Sequence, residues 1–169
     1  MANEDLVADY LGEAHDYLDQ LNKVLLELAE SGGDWPKDTV NGMFRSAHSL
    51  KGLSACFGFE RTNAVTHQLE TLLTLVRDGR RAPTPDVVRA MFDAIDLVQH
   101  LTAEVAAGGR EVAPIELVVE QLERAATAPE AGRGAAPGGA PAAPAPAASA
   151  DKAATAKAAA VAPASGNDS

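Results

Sequence analysis

Apolar side chains recur at three- and four-residue steps through five successive segments, and no stretch alternates apolar and polar residues over a strand's length. A 3.6-residue period makes one face of a helix apolar, whereas a sheet needs a period of two, so this chain has few folds open to it. Leu6, Tyr10, Ala14, Leu18, Leu21, Leu25 and Leu28 form the first face, and Gly32-Gly33 ends that helix. A second helix begins near Pro36, turns Val40, Met43, Phe44, Ala47, Leu50 and Ser54 inward, and stops at Gly58 with Phe59 folding back. The third runs from Glu60 or Arg61 to Asp78 on Val65, Leu69, Leu72, Leu73 and Val76. Thr84-Pro85-Asp86 supplies a cap, a first-turn proline and an acid at the positive end of the dipole. It opens a fourth helix on Val88, Met91, Phe92, Ile95, Val98 and Leu101 that stops at Gly108-Gly109. A shorter fifth follows Pro114 on Ile115, Val118, Val119 and Leu122. Short connections favour antiparallel neighbours. The expected fold is all-α: an up-down antiparallel four-helix bundle with a fifth C-terminal helix, followed by a disordered tail.

The tail follows from composition. After Thr127 the chain is dominated by Ala, Pro, Gly and Ser, which cannot bury enough surface to offset the entropy of ordering. Residues 1–126 therefore read as one domain and residues 127–169 as an Ala/Pro/Gly-rich disordered linker. A net charge of −10, with no basic run, speaks against a nucleic-acid partner. The start, MANEDLVADY, lacks the basic-then-apolar pattern of a signal peptide, and no apolar stretch is long enough for membrane insertion. The single Cys56 excludes an intramolecular disulfide and is expected as inert core. Together these fit a soluble cytoplasmic protein. Trp35, just before Pro36, is expected to close one end of the bundle.

Against this scaffold, His48, Lys51 and Gly52 on the second helix and His67 and Glu70 on the third are out of place. Ionisable groups on apolar helices are costly unless paired or used. His48 lies about ten residues before the turn at Gly58 and Glu70 about twelve after it, so helical rise puts them at similar heights. A carboxylate accepting Nδ1–H of His48 fixes the tautomer and leaves Nε2 as a free nucleophile, while Lys51 can offset charge on an arriving phosphoryl group. Gly52 clears surface beside His48 or, more plainly, allows tight helix packing. Two other readings stay open. His48 can be a core-edge histidine with a satisfied hydrogen bond, or His48, His67 and Glu70 can ligate a metal, although Lys51 would repel a dication. His15 and His100 read as surface or helix-edge residues without acidic partners at a shared site.

The stretch FRSAHSLKGLSACFGFERTNAVTHQLETLLTLVRDG carries HxxKG, then GF, then THxxExLL and a trailing RxG. Over about residues 5–125 the chain resembles the histidine phosphotransfer (HPt) domains at the N-terminus of CheA-type chemotaxis histidine kinases. The resemblance implies that His48 takes a phosphoryl group at Nε2 from an ATP-binding kinase domain and passes it to an aspartate of a response regulator receiver domain, CheY- or CheB-like. It implies that Glu70 holds Nδ1 and that Lys51 and His67 complete the polar network. No cofactor is expected in this chain; ATP belongs to the kinase partner and Mg²⁺ to the kinase and receiver. The domain alone is then not an enzyme, its parent is a histidine protein kinase, and a chemoreceptor cluster is a location compatible with that role. The surface of the first two helices, with Leu11, His15, Leu18, Phe44 and Arg45, is the expected receiver dock. The rivals are a helical adaptor or metal-binding bundle and an HPt domain of a non-chemotaxis phosphorelay.

Overall fold

Five helices bury the apolar stripes against one another in the computed structural model, which describes residues 2–108 and 110–129. They are α1 (Ala2–Glu30), α2 (Lys37–Phe57), α3 (Glu60–Arg77), α4 (Pro85–Gly108) and α5 (Glu116–Thr127). The linker expected over residues 127–169 falls, from residue 130 onward, outside the described residues. Helix α1 packs on α2 and α4, and α3 joins α2 to α4, so the first four close a ring around the core; α5 lies over α3 and α4. No strand occurs among the described residues.

Turn chemistry sets where each helix stops. Ser31 Oγ donates to the Leu28 carbonyl at 2.7 Å, and the Trp35 indole donates to the same oxygen at 3.1 Å. Trp35 thereby satisfies an orphan carbonyl of α1 and walls an apolar cavity of about 570 Å³ with Val88 and Phe92. Gly58, at φ +75°, ends α2 in the left-handed conformation, its N–H on Ala55 and that of Phe59 on Ser54. This folds Phe59 back onto Tyr10, ring centroids 4.5 Å apart, with Phe57 alongside. The start of α3 is capped from a distance: Glu111 accepts the backbone N–H of Arg61 at 2.8 Å and of Thr62 at 2.9 Å. Arg61 returns bonds to the Val112 and Ala113 carbonyls, pinning the α4–α5 connection to α3. Buried Arg81 donates to the Ala125 and Ala128 carbonyls and so caps the end of α5.

Several sequence expectations fail at particular positions. Leu6 is exposed, because only from Tyr10 onward does α1 bury a side chain in the core. Helix α4 turns Val87, Ala90 and Ala94 inward and leaves Val88 and Phe92 half-buried at the cavity. Cys56 is exposed rather than core, since Ser54 takes the inward position at this end of α2. The expected start of α2 near Pro36 holds, with Pro36 at its cap.

Candidate functional site

Helices α2 and α3 run antiparallel because a single left-handed glycine reverses the chain between them, and later α2 residues face earlier α3 residues. Asn63 Nδ2, for instance, donates to the Lys51 carbonyl at 2.9 Å, while His48 faces Glu70. His48 Nδ1 and Glu70 Oε1 are 3.1 Å apart. Lys51, one turn after His48, sets its ammonium 2.7 Å from Glu70 Oε2, a close ion pair outside the angle of a directed hydrogen bond. The carboxylate thus joins the imidazole and the ammonium. The His48 side chain is 60% exposed and that of Glu70 only 14%. Nδ1 is engaged inward, and Nε2 has no hydrogen-bond partner among the described residues. An imidazole held this way presents a lone pair on Nε2 to solvent.

Burial is the largest single influence on Glu70 and pushes its carboxyl up; the contacts and charges of Lys51 and His48 together outweigh it and hold the carboxyl below its ordinary value of 4.5. A depressed folded-state value favours the folded state above about pH 4.5, and that contribution fades as pH falls through the lower folded value. The urea midpoint of the wild type is therefore expected to exceed that of Glu70→Gln by more at about pH 6 than at about pH 3.5. An equal difference at both values would contradict the depressed carboxyl.

Other expected site residues make none of these polar contacts. The His67 ring, one turn before Glu70 on α3, is exposed and makes no hydrogen bond or ion pair among the described residues. Gly52 is exposed, and a Cβ added there meets nothing within 4 Å, so its small size leaves surface open beside His48 and relieves no helix contact. Phe44 is half-buried with its ring stacked on His48, centroids 5.9 Å apart and planes 18° from parallel. The Arg77 guanidinium lies 4.7 Å from the Phe44 centroid. Sequence reasoning gives Arg77 no role beyond the trailing RxG, yet the antiparallel count that sets Glu70 against His48 also brings the end of α3 beside Phe44. Among the described residues no group of three or more His, Cys, Asp or Glu side chains gathers in a way that could hold a metal ion.

The Hpt domain family model matches residues 5–128. The chain belongs to this family. Chemotaxis protein CheA of Rhizobium meliloti (strain 1021) is 35% identical to this Hpt domain over 136 residues, covering 79% of this chain and 18% of that protein. CheA of Listeria monocytogenes is 34% identical over 119 residues, covering 68% and 18%. The chain thus spans about a fifth of the length of these relatives. The solution structure of the histidine phosphotransfer domain of CheA is similar with a TM-score of 0.67 at 25% identity, covering 75% of this chain and 96% of that one. The phosphorylated P1 domain of CheA3 in complex with CheY6 from R. sphaeroides has a TM-score of 0.63 at 27% identity, covering 70% and 93%.

The expected dock of this Hpt domain divides. Leu18 is 1% exposed and has no surface to offer a partner. Leu11 and His15 line a groove with Gln99, Thr102 and Ala103 of α4, on the α1–α4 side, whereas His48 faces α3. His15 also pairs with Asp19 one turn on, at 3.3 Å, and His100 with Glu104 at 3.5 Å, so both have an acidic partner on their own helix. Phe44 and exposed Arg45 remain on α2 within one turn of His48. No helix among the described residues is long and apolar enough to cross a membrane.

Proposed function

We propose that this Hpt domain is a phosphocarrier whose His48 accepts a phosphoryl group on Nε2 and donates it to an aspartate of a response regulator receiver domain. The observation that carries the reading is the His48–Glu70 pair: Nδ1 held at 3.1 Å by a sheltered carboxylate, Nε2 facing outward on an exposed ring. In the forward step the Nε2 lone pair forms a bond to the γ-phosphorus of ATP and the bond from that phosphorus to the bridging oxygen breaks, releasing ADP. The ring, carrying hydrogen on Nδ1, becomes cationic, and Glu70 stabilises that charge where it develops. Transfer onward reverses the geometry, with an aspartate oxygen attacking phosphorus and His48 leaving as neutral imidazole. The domain supplies positioning and charge; the ATP and Mg²⁺ belong to its partners.

The kinase partner is the ATP-binding domain of a CheA-type protein, in the same chain or another, and the parent is a histidine protein kinase working in the cytoplasm at a chemoreceptor cluster. Relatives that are chemotaxis proteins favour this over a relay of another output. The P1–CheY6 complex among the similar structures supports a CheY-like receiver. Mixed with a CheA-type catalytic domain, Mg²⁺ and γ-labelled ATP, the wild type is expected to take up acid-labile, base-stable label that His48→Gln does not. Label persisting in His48→Gln, or none in the wild type with several competent kinases, would contradict the reading.

A further inference from the structure

A hydrogen bond to Glu70 fixes one atom of the His48 ring but leaves its plane free to swing about that contact, because the ring torsion of histidine has broad wells. Phosphoryl transfer is sensitive to the direction of the attacking lone pair, so a second contact that sets the plane has kinetic value. Phe44, one turn before His48 on α2, is that contact, its ring 18° from parallel and 5.9 Å away between centroids. Phe44 is only half-buried and needs an anchor of its own. Arg77 supplies one from the last turn of α3, its guanidinium 4.7 Å from the Phe44 centroid, with Nε on Asp78 Oδ1 at 3.1 Å. The contacts run Asp78–Arg77–Phe44–His48 and place the guanidinium within about 11 Å of the imidazole centre. Both ends of this chain lie outside the buried core.

We propose that Phe44 and Arg77 are positioning residues, holding the plane of the His48 imidazole so that Nε2 points in one direction for phosphoryl transfer. The proposal rests on the phosphocarrier reading above. It separates Phe44 from a mere docking contact, since ring orientation matters to any phosphoryl donor and docking matters only to a protein one.

The test is uptake from phosphoramidate, a small donor that transfers its phosphoryl group to imidazole with release of ammonia and needs no docking surface. Wild type, Phe44→Leu, Arg77→Gln and Arg77→Lys are compared, together with the imidazole ¹⁵N spectra and urea midpoints. Phe44→Leu and Arg77→Gln are expected to take up phosphate about two- to tenfold more slowly, the range set by the strength of one stacking or cation–π contact. Arg77→Lys, which keeps a cation over the ring, is expected to recover most of the rate. The Arg77 variants are expected to keep the wild-type urea midpoint while the His48 ¹⁵N signals shift. Wild-type rates and signals in both Phe44→Leu and Arg77→Gln would overturn the proposal. So would a defect seen only in transfer to a receiver, or a slowing matched by a fallen urea midpoint with His48 signals unmoved. A wild type that takes no phosphate from phosphoramidate would instead overturn the phosphocarrier reading, and this proposal with it.

Discussion

Glu70→Ala is expected to slow phosphorylation of His48 by about 10- to 150-fold while leaving a folded domain, because a hydrogen bond to a charged group contributes about 1.5–3 kcal/mol and here it strengthens on the way to the transition state. In the ground state Nδ1 faces the carboxylate from a neutral ring; as Nε2 bonds to phosphorus the ring gains positive charge 3.1 Å from Oε1. The same substitution frees the Lys51 ammonium, which stands 2.7 Å from Oε2 in the wild type. That releases a cation toward the incoming phosphates and offsets part of the loss. Glu70→Gln, which keeps an acceptor near Nδ1 without the charge, is expected to fall between alanine and wild type. Single-turnover labelling at saturating kinase separates these effects from docking. A Glu70→Ala rate within twofold of wild type would show that the carboxylate does not support the charged ring.

Leu50→Ala is expected to destabilise the domain by about 2–5 kcal/mol, a large share of the about 5–15 kcal/mol typical of a folded domain. Leu50 is 0% exposed and belongs to the core, yet it sits between His48 and Lys51 in the same turn of α2. Its removal leaves a cavity beneath the site, so urea denaturation should show a lower midpoint and phosphate uptake should fall only as the folded fraction falls. Leu26→Ala serves as the contrast: Leu26 is 51% exposed, and its truncation is expected to move stability by about 0.5 kcal/mol or less. A cost below about 1 kcal/mol at Leu50 would contradict the core packing described.

What could be read from the sequence depended on how far each inference had to reach. Helix count and boundaries followed from local signals, the glycines at 33 and 58 and the Thr84-Pro85 start among them, and those signals act where they stand. The His48–Glu70 approach needed only helical rise and one short turn, and the two atoms meet at 3.1 Å. Periodicity names a helix face but not where the neighbouring helix ends or how closely it packs. Leu6 therefore fits the stripe of α1 and still meets water. On α4 the weight given to large side chains hid Ala90 and Ala94, whose small size belongs at the close helix contact, and assigned Val88 and Phe92 inward instead. Leu18 failed as a docking residue for the same reason in reverse, since a residue on a core stripe cannot also face a partner. His67 shares a turn with Glu70 but not its contacts, which spacing alone does not distinguish. The Phe44–Arg77 contact was within reach, because carrying the antiparallel count about two turns past Glu70 leads to the end of α3.

The central claim is that Glu70 occupies Nδ1 and leaves Nε2 of His48 to carry the phosphoryl group. Its most direct test is a long-range ¹H–¹⁵N and ³¹P spectrum of the phosphorylated domain, assigned through His48→Gln. One phosphorus signal coupled to Nε2 of His48 is expected, with Nδ1 protonated and in a hydrogen bond. Phosphorus on Nδ1, or on any side chain other than His48, would contradict it.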